Sequence, residues 1–468
     1  MTSLVRSLTA LSLLSLGFAV GCGDNEATGG SGGGTGGDGS GGAPVGNVTF
    51  HKDIEPILQR SCLHCHTEGR IGGFSLLTYE EAKPQAGVMA ANVEAGIMPP
   101  WHAIETDQCD PELPFRNDAR LSADEIALMR AWADDGAPEG DPADAPPPYQ
   151  LNEPGLTNAS LEMTPVDASV VSGDTDQFTC VVYDPQLTEE KFIDGIHFMP
   201  GNPKVAHHAL AFRLPRTDAQ ALSGGKERFD CFGAPPGSLI EAWAPGSIPL
   251  ELPQGVGMRI TPDDVIVVQM HYHPTGTTTE EDRSTVQLRY LDATPSWEFL
   301  LVLVGNAASA PELLPDPDDR GTPEFRIPAN ATDHVEQMAF NVQIDSTFEF
   351  PVLLTGTHMH YVGYDARFWV ERPTAGPSEP AEECFVETPH WDFNWQRGYV
   401  YDADIASLPT VSNGDVLRLE CRFNNSMSNR FVAEALAARG LSAPEDVYLG
   451  EQTLDEMCLG ILGVLVPL

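Results

Sequence analysis

The chain has 468 residues, with 68 Asp and Glu against 26 Lys and Arg and a formal net charge of −42 at pH 7. Its length suits two to four domains at roughly 100–200 residues each. A surface this acidic repels phosphates, which excludes nucleic acid as a partner. With 41% hydrophobic residues the chain still has material for cores, while 44 Gly and 39 Pro favour β structure and loops over long helices.

The first 21 residues carry one Arg, Arg6, and an apolar run from Leu8 to Val20. That run is short of the roughly 20 residues a bilayer requires, so residues 1–21 read as an export signal. Ala19-Val20-Gly21-Cys22 is similar to a bacterial lipobox, with Ala19 where Leu is usual. It makes Cys22 the lipidation site and the expected location extracytoplasmic, on a bacterial membrane. Residues 22–45 follow as a Gly-rich tether.

Residues 46–140 read as a small α-helical, cytochrome c-like domain. Cys62-Leu63-His64-Cys65-His66 has the Cys-x-x-Cys-His spacing of covalent haem attachment, with Cys62 and Cys65 as thioether donors and His66 as axial ligand. Neither a thioredoxin-like nor a zinc reading requires His66, and zinc lacks a second Cys pair nearby. Met98, in Ile97-Met98-Pro99-Pro100, is the expected distal ligand, with His102 as runner-up. Residues 121–136 pattern as an amphipathic helix capped by Ser122. Residues 141–155, rich in Pro, form the linker.

Beyond residue 155 short apolar runs alternate with Gly, Pro, Asn and Asp, which predicts a mainly β fold of antiparallel sandwiches. Some 310 residues exceed one sandwich, so two are expected, over 156–294 and 295–468. Three close His pairs stand out: His207-His208, His271-Tyr272-His273 and His358-Met359-His360. His358 and His360 fall on one face of a strand. His207 and His208 point to opposite faces unless a bulge intervenes.

The segment Lys204-Val205-Ala206-His207-His208-Ala209 resembles the paired-His stretch of the copper type II, ascorbate-dependent monooxygenases. Further motifs follow in that family's order: Val268-Gln269-Met270-His271-Tyr272-His273, Thr357-His358-Met359-His360 and Asp455-Glu456-Met457-Cys458. The resemblance spans residues 156–468. It implies two jelly-roll-like antiparallel sandwiches and two coppers. One copper takes His207, His208 and His271, with His273 a less favoured neighbour; the other, catalytic one takes His358, His360 and Met457. It implies dioxygen as co-substrate, C–H hydroxylation of a small molecule, and ascorbate or a redox protein as reductant.

Gly356 stands where the peptide-hydroxylating members carry a substrate-binding Arg, and Leu459 and Ile461 stand where they carry Asn and Tyr. The expected substrate is therefore an apolar small molecule rather than a peptide destined for amidation. Among the cysteines, the resemblance implies Cys180–Cys231 and Cys421–Cys458, and with those paired Cys109 and Cys384 remain. The full expectation is one haem c and two coppers per chain, with electrons relayed from haem to copper. The alternative is an extracytoplasmic electron-transfer or copper-binding lipoprotein without hydroxylase activity.

Overall fold

The computed structural model describes residues 47–468 except 69, 71, 151–154, 174, 232, 345–346, 377–379 and 451–453. The expected export signal, Cys22 and the tether lie outside the described residues. Among those described, no helix is long and apolar enough to cross a membrane.

The first described segment is helical, through Glu55–Ser61, Ala86–Glu94 and Ala123–Asp134. Ser122 starts the last of these with a reciprocal cap. Its hydroxyl accepts the Glu125 N–H, and the Glu125 carboxylate accepts the Ser122 N–H. Phe50, Ile54, Leu58, Leu63, Met129 and Trp132 form a small separate core between these helices.

The rest of the chain is β. A ten-stranded sheet carries the long strands Lys191–Met199, Trp297–Gly305, Phe350–His358 and Leu459–Pro467. It runs across the expected border at residue 294, because Val256–Ile260 pairs in parallel with Trp297–Gly305. The other strand ladders among the described residues are antiparallel.

A five-stranded sheet has Asp264–Tyr272 at its centre, flanked by Gln177–Tyr183 and Ala206–Pro215. Its Val265–Val268 run is buried on both faces, as a central strand requires. A four-stranded sheet orders His334–Asn341, Val416–Phe423, Gly363–Glu371 and Glu382–Thr388. Burial alternates residue by residue along Val416–Phe423, the period of two that sets one face inward. Side chains from all three sheets, among them Ile196, Val268, Phe299, Phe368, Leu419 and Leu465, share one core.

Three disulfides close the described structure: Cys109–Cys384, Cys180–Cys231 and Cys421–Cys458. The first joins the segment between the Ala86–Glu94 and Ala123–Asp134 helices to the Glu382–Thr388 strand. Backbone bonds from Ile104 N–H to the Glu387 carbonyl and from Arg116 N–H to the Val400 carbonyl reinforce that joint.

Candidate metal centre

The Asp264–Tyr272 strand carries His271 at its end, and Ala206–Pro215 carries His207 and His208 beside it. In their antiparallel ladder His271 pairs with His208, yet Tyr272 pairs with Ala206. His207 is therefore the extra residue of a β-bulge, and the bulge turns its imidazole toward the same side as its neighbour's.

The three Nδ1 atoms form a nearly equilateral triangle. His207 and His208 are separated by 3.2 Å, His207 and His271 by 3.3 Å, and His208 and His271 by 3.3 Å. Protons alone do not satisfy this arrangement. A ring nitrogen is either a donor or an acceptor, so three nitrogens cannot each give and take one bond around a triangle. A tetrahedral ion with bonds of about 2.0–2.1 Å to imidazole nitrogen needs donor separations of about 3.3–3.4 Å. The triangle has that size.

Burial keeps His207 and His208 neutral and able to donate lone pairs. It holds the His207 pKa down at about 4 and that of His208 well below the usual histidine range, with His271 adding to both effects. His271 is fixed from behind: its Nε2 lies 2.8 Å from Asp176 Oδ2, and Phe178 stacks on its ring at 4.4 Å. His273 turns away from the triangle, with Nδ1 bonded to Asp176 Oδ1 at 2.8 Å. The sequence reading contained no Asp176. It precedes the Gln177–Tyr183 strand, and nothing in its local pattern marks it.

His358, His360 and Met457 line one cavity of about 330 Å³ together with His208 and His271. Its walls are largely apolar, with Leu303, Leu459 and Ile461 among them, and the Phe393 ring lies 6.4 Å from that of His208 and 6.2 Å from that of His360. His358 Nδ1 is bonded to the Gln396 side-chain carbonyl at 2.9 Å and His360 Nδ1 to the Asp455 carbonyl at 3.1 Å. These bonds leave Nε2 of each ring as the lone-pair nitrogen. Glu456, completely buried, gathers the N–H groups of His360, Val362, Gly363 and Met457 on its carboxylate. It thereby holds the Met457 segment to the His360 turn, a role the sequence reading also missed.

The expected cofactor complement of one haem c and two coppers is corrected by the side-chain arrangement. The cysteines supply three disulfides rather than a haem attachment. Cys62 and Cys65 take no part in these, but Cys62 packs against the helical core. Burial, then the neighbouring Cys65, pushes its thiol up to about 12, so it is no ready nucleophile at neutral pH.

His66 is covered by its own loop: the Phe74 ring lies 4.5 Å away, and a Cβ added at Gly72 would come within 2.5 Å of His66 Nδ1. Met98, the expected distal ligand, packs against the helical core. Of the two expected copper sets, His207, His208 and His271 form a three-donor His/Cys/Asp/Glu cluster among the described residues, whereas His358 and His360 belong to no such cluster.

No family model matches the chain, and no curated protein does. Among solved structures it is similar to the major capsid protein P2 of bacteriophage PM2, with a TM-score of 0.25 and 6% identity, over 65% of this chain and 97% of that one. It is also similar to the VP2 subviral particle of infectious bursal disease virus, with a TM-score of 0.18 and 8% identity, over 68% of this chain and 75% of that one. Likenesses this slight carry no inference about function.

Proposed function

We propose that the chain is a copper-binding protein of an oxidising compartment, with His207, His208 and His271 as donors and Asp176 orienting the third. The observation that carries this reading is the Nδ1 triangle, whose edges of 3.2–3.3 Å suit one ion and defeat a network of hydrogen bonds. Copper is favoured over other divalent first-row ions because it stands highest in affinity for a nitrogen site. Three disulfides suit the same compartment. We also infer that the five-stranded and four-stranded sheets each face the ten-stranded one as two jelly-roll-like sandwiches.

Bound copper supplies one-electron redox chemistry. The chain's own part is to hold three imidazoles in place through the bulge at His207 and the Asp176 bond, and to keep one side of the site apolar. Equilibrium dialysis of the chelator-treated chain tests the reading. One tightly held copper per chain, lost on His207→Ala, is the expected result; retention of that copper in the variant would reject it.

The cavity favours a second reading, oxygen-dependent hydroxylation of an apolar small molecule. His208 and His271 open onto the same space as His358, His360 and Met457. On this reading the chain binds the substrate against Leu303, Leu459 and Ile461, and the bonds from Gln396 and Asp455 keep the two further imidazoles oriented. A screen of apolar compounds for oxygen-dependent gain of one oxygen atom by mass separates the two readings.

A further inference from the structure

A second constellation lies in the loop between the Trp297–Gly305 and His334–Asn341 strands. Ligand atoms of Asp316, Asp318 and His334 all fall within 4.8 Å of one another. The loop is held on the protein by Leu313, which is buried and bridges to Met338, and by turns in which Asp316 accepts the Asp318 N–H and Asp319 accepts the Asp316 and Glu324 N–H groups. His334 is itself buried. Its Nδ1 lies 3.1 Å from Asp318 Oδ2, and its Nε2 lies 3.1 Å from Glu336 Oε1.

Glu336 has no exposed surface. Its Oε1 also accepts the Arg326 N–H, while its Oε2 is buried without a hydrogen-bond partner. The Arg326 guanidinium does not answer this charge, because it bonds to Asp446 and to the Asp318 backbone carbonyl. Three carboxylates thus face one imidazole. Of the three only Glu336 is buried, and among the described residues it has no cation beside it but His334, which Asp318 shares; unpaired charge in such a place is costly.

We propose that Asp316, Asp318 and His334 form a second metal site, for a divalent cation of the zinc class, with Glu336 holding His334 from behind. Carboxylate oxygen and imidazole nitrogen together are donors zinc accepts, and a carboxylate on the far ring nitrogen is the usual support of a metal-bound histidine. Asp176 and His271 show the same relationship at the other cluster. The site clamps the loop to its strand. Asn306, at the start of that loop, lines the large cavity and accepts the Cys458 N–H, so the cation steadies one wall of it.

The test uses the full chain carrying His207→Ala and His208→Ala, freed of metal by a chelator and titrated with zinc against a chromogenic competitor. One zinc per chain is expected. Asp316→Asn with Asp318→Asn should weaken it by at least about tenfold, since even supporting residues cost 10–100-fold. Both positions reach solvent, so the amides keep the fold, which circular dichroism verifies. Cobalt as a second probe should give ligand-field absorption that His334→Gln abolishes. If the double-alanine background fails to fold, the otherwise native chain should lose one zinc equivalent with the Asn pair. Zinc binding that is absent, or unchanged by the Asn pair, overturns the proposal and leaves His334 as a protonated partner of Asp318 and Glu336.

Discussion

Asp176 joins His271 to His273: one carboxylate oxygen lies 2.8 Å from His271 Nε2, the other 2.8 Å from His273 Nδ1. Burial alone would raise the Asp176 pKa, but the bonds from the two imidazoles outweigh it and hold the carboxyl well below its usual range. Asp176 therefore stays ionised. It fixes the His271 ring so that Nδ1 faces His207 and His208.

The first prediction concerns that bond. Asp176→Asn should leave the number of copper ions bound unchanged but weaken their binding about 10–100-fold, as loss of a carboxylate behind a ligating histidine does. Competition titration against a copper chelator measures it. Unaltered affinity would mean that His271 is positioned by Phe178 stacking alone.

Glu456 supports the facing side of the cavity. Glu456→Ala removes the acceptor of four N–H groups, three of them buried (His360, Val362 and Gly363) and that of Met457 part-buried. Each orphaned group costs about 1–3 kcal/mol. A loss of at least about 4 kcal/mol in urea unfolding is expected, with Glu456→Gln losing less because its carbonyl still accepts. A loss below about 1 kcal/mol in the Ala variant would show that water replaces the carboxylate.

Asp365 gives a pH dependence away from any metal. Its carboxyl is pushed up to about 6, first by burial and then by Glu387, with Glu420 adding to the rise and Arg422 and Arg367 opposing it. A raised carboxyl binds its proton more tightly in the folded state. Stability from this group is thus greatest below pH 3.8, falls as pH rises to about 6, and is level above that. Asp365→Asn should remove that slope and stabilise the protein at pH 7 by about 1–2 kcal/mol, after allowance for the weak ion pair it loses. Chemical denaturation across this range is the check, and an unchanged slope would contradict it.

The Cys109–Cys384 bridge closes a span of 275 residues and ties the loop between the Ala86–Glu94 and Ala123–Asp134 helices to the β structure. Removing a native disulfide typically costs about 2–5 kcal/mol. The Cys109→Ser, Cys384→Ser pair should fall in that range in denaturant unfolding. A cost below about 1 kcal/mol would mean that the backbone bonds at Ile104 and Arg116 already hold the joint.

How much of this was legible in the sequence depended on whether the signal was local. Alternation such as that of Val416–Phe423 announces a strand, and Ser122 with Glu125 announces a helix start. The demand that His207 and His208 need a bulge to act together also followed from strand geometry, and the ladder contains that bulge. Asp176 and Glu456 were invisible because their partners lie 95 and 96 residues away, beyond any periodicity. The expected border at residue 294 did not foresee the parallel pairing of Trp297 with Val256, which carries one sheet across it. The Cys-x-x-Cys-His spacing misled, since spacing alone says nothing of how Phe74, Gly72 and the helical core enclose His66 and Cys62.

The measurement that bears most directly on the account is electron paramagnetic resonance of the chain loaded with one equivalent of Cu(II). Three directly bound imidazole nitrogens should appear in the hyperfine pattern, falling to two or to no bound copper in His208→Ala. A spectrum that shows no histidine nitrogen, or that is the same in His208→Ala, would contradict the claim that His207, His208 and His271 hold the metal.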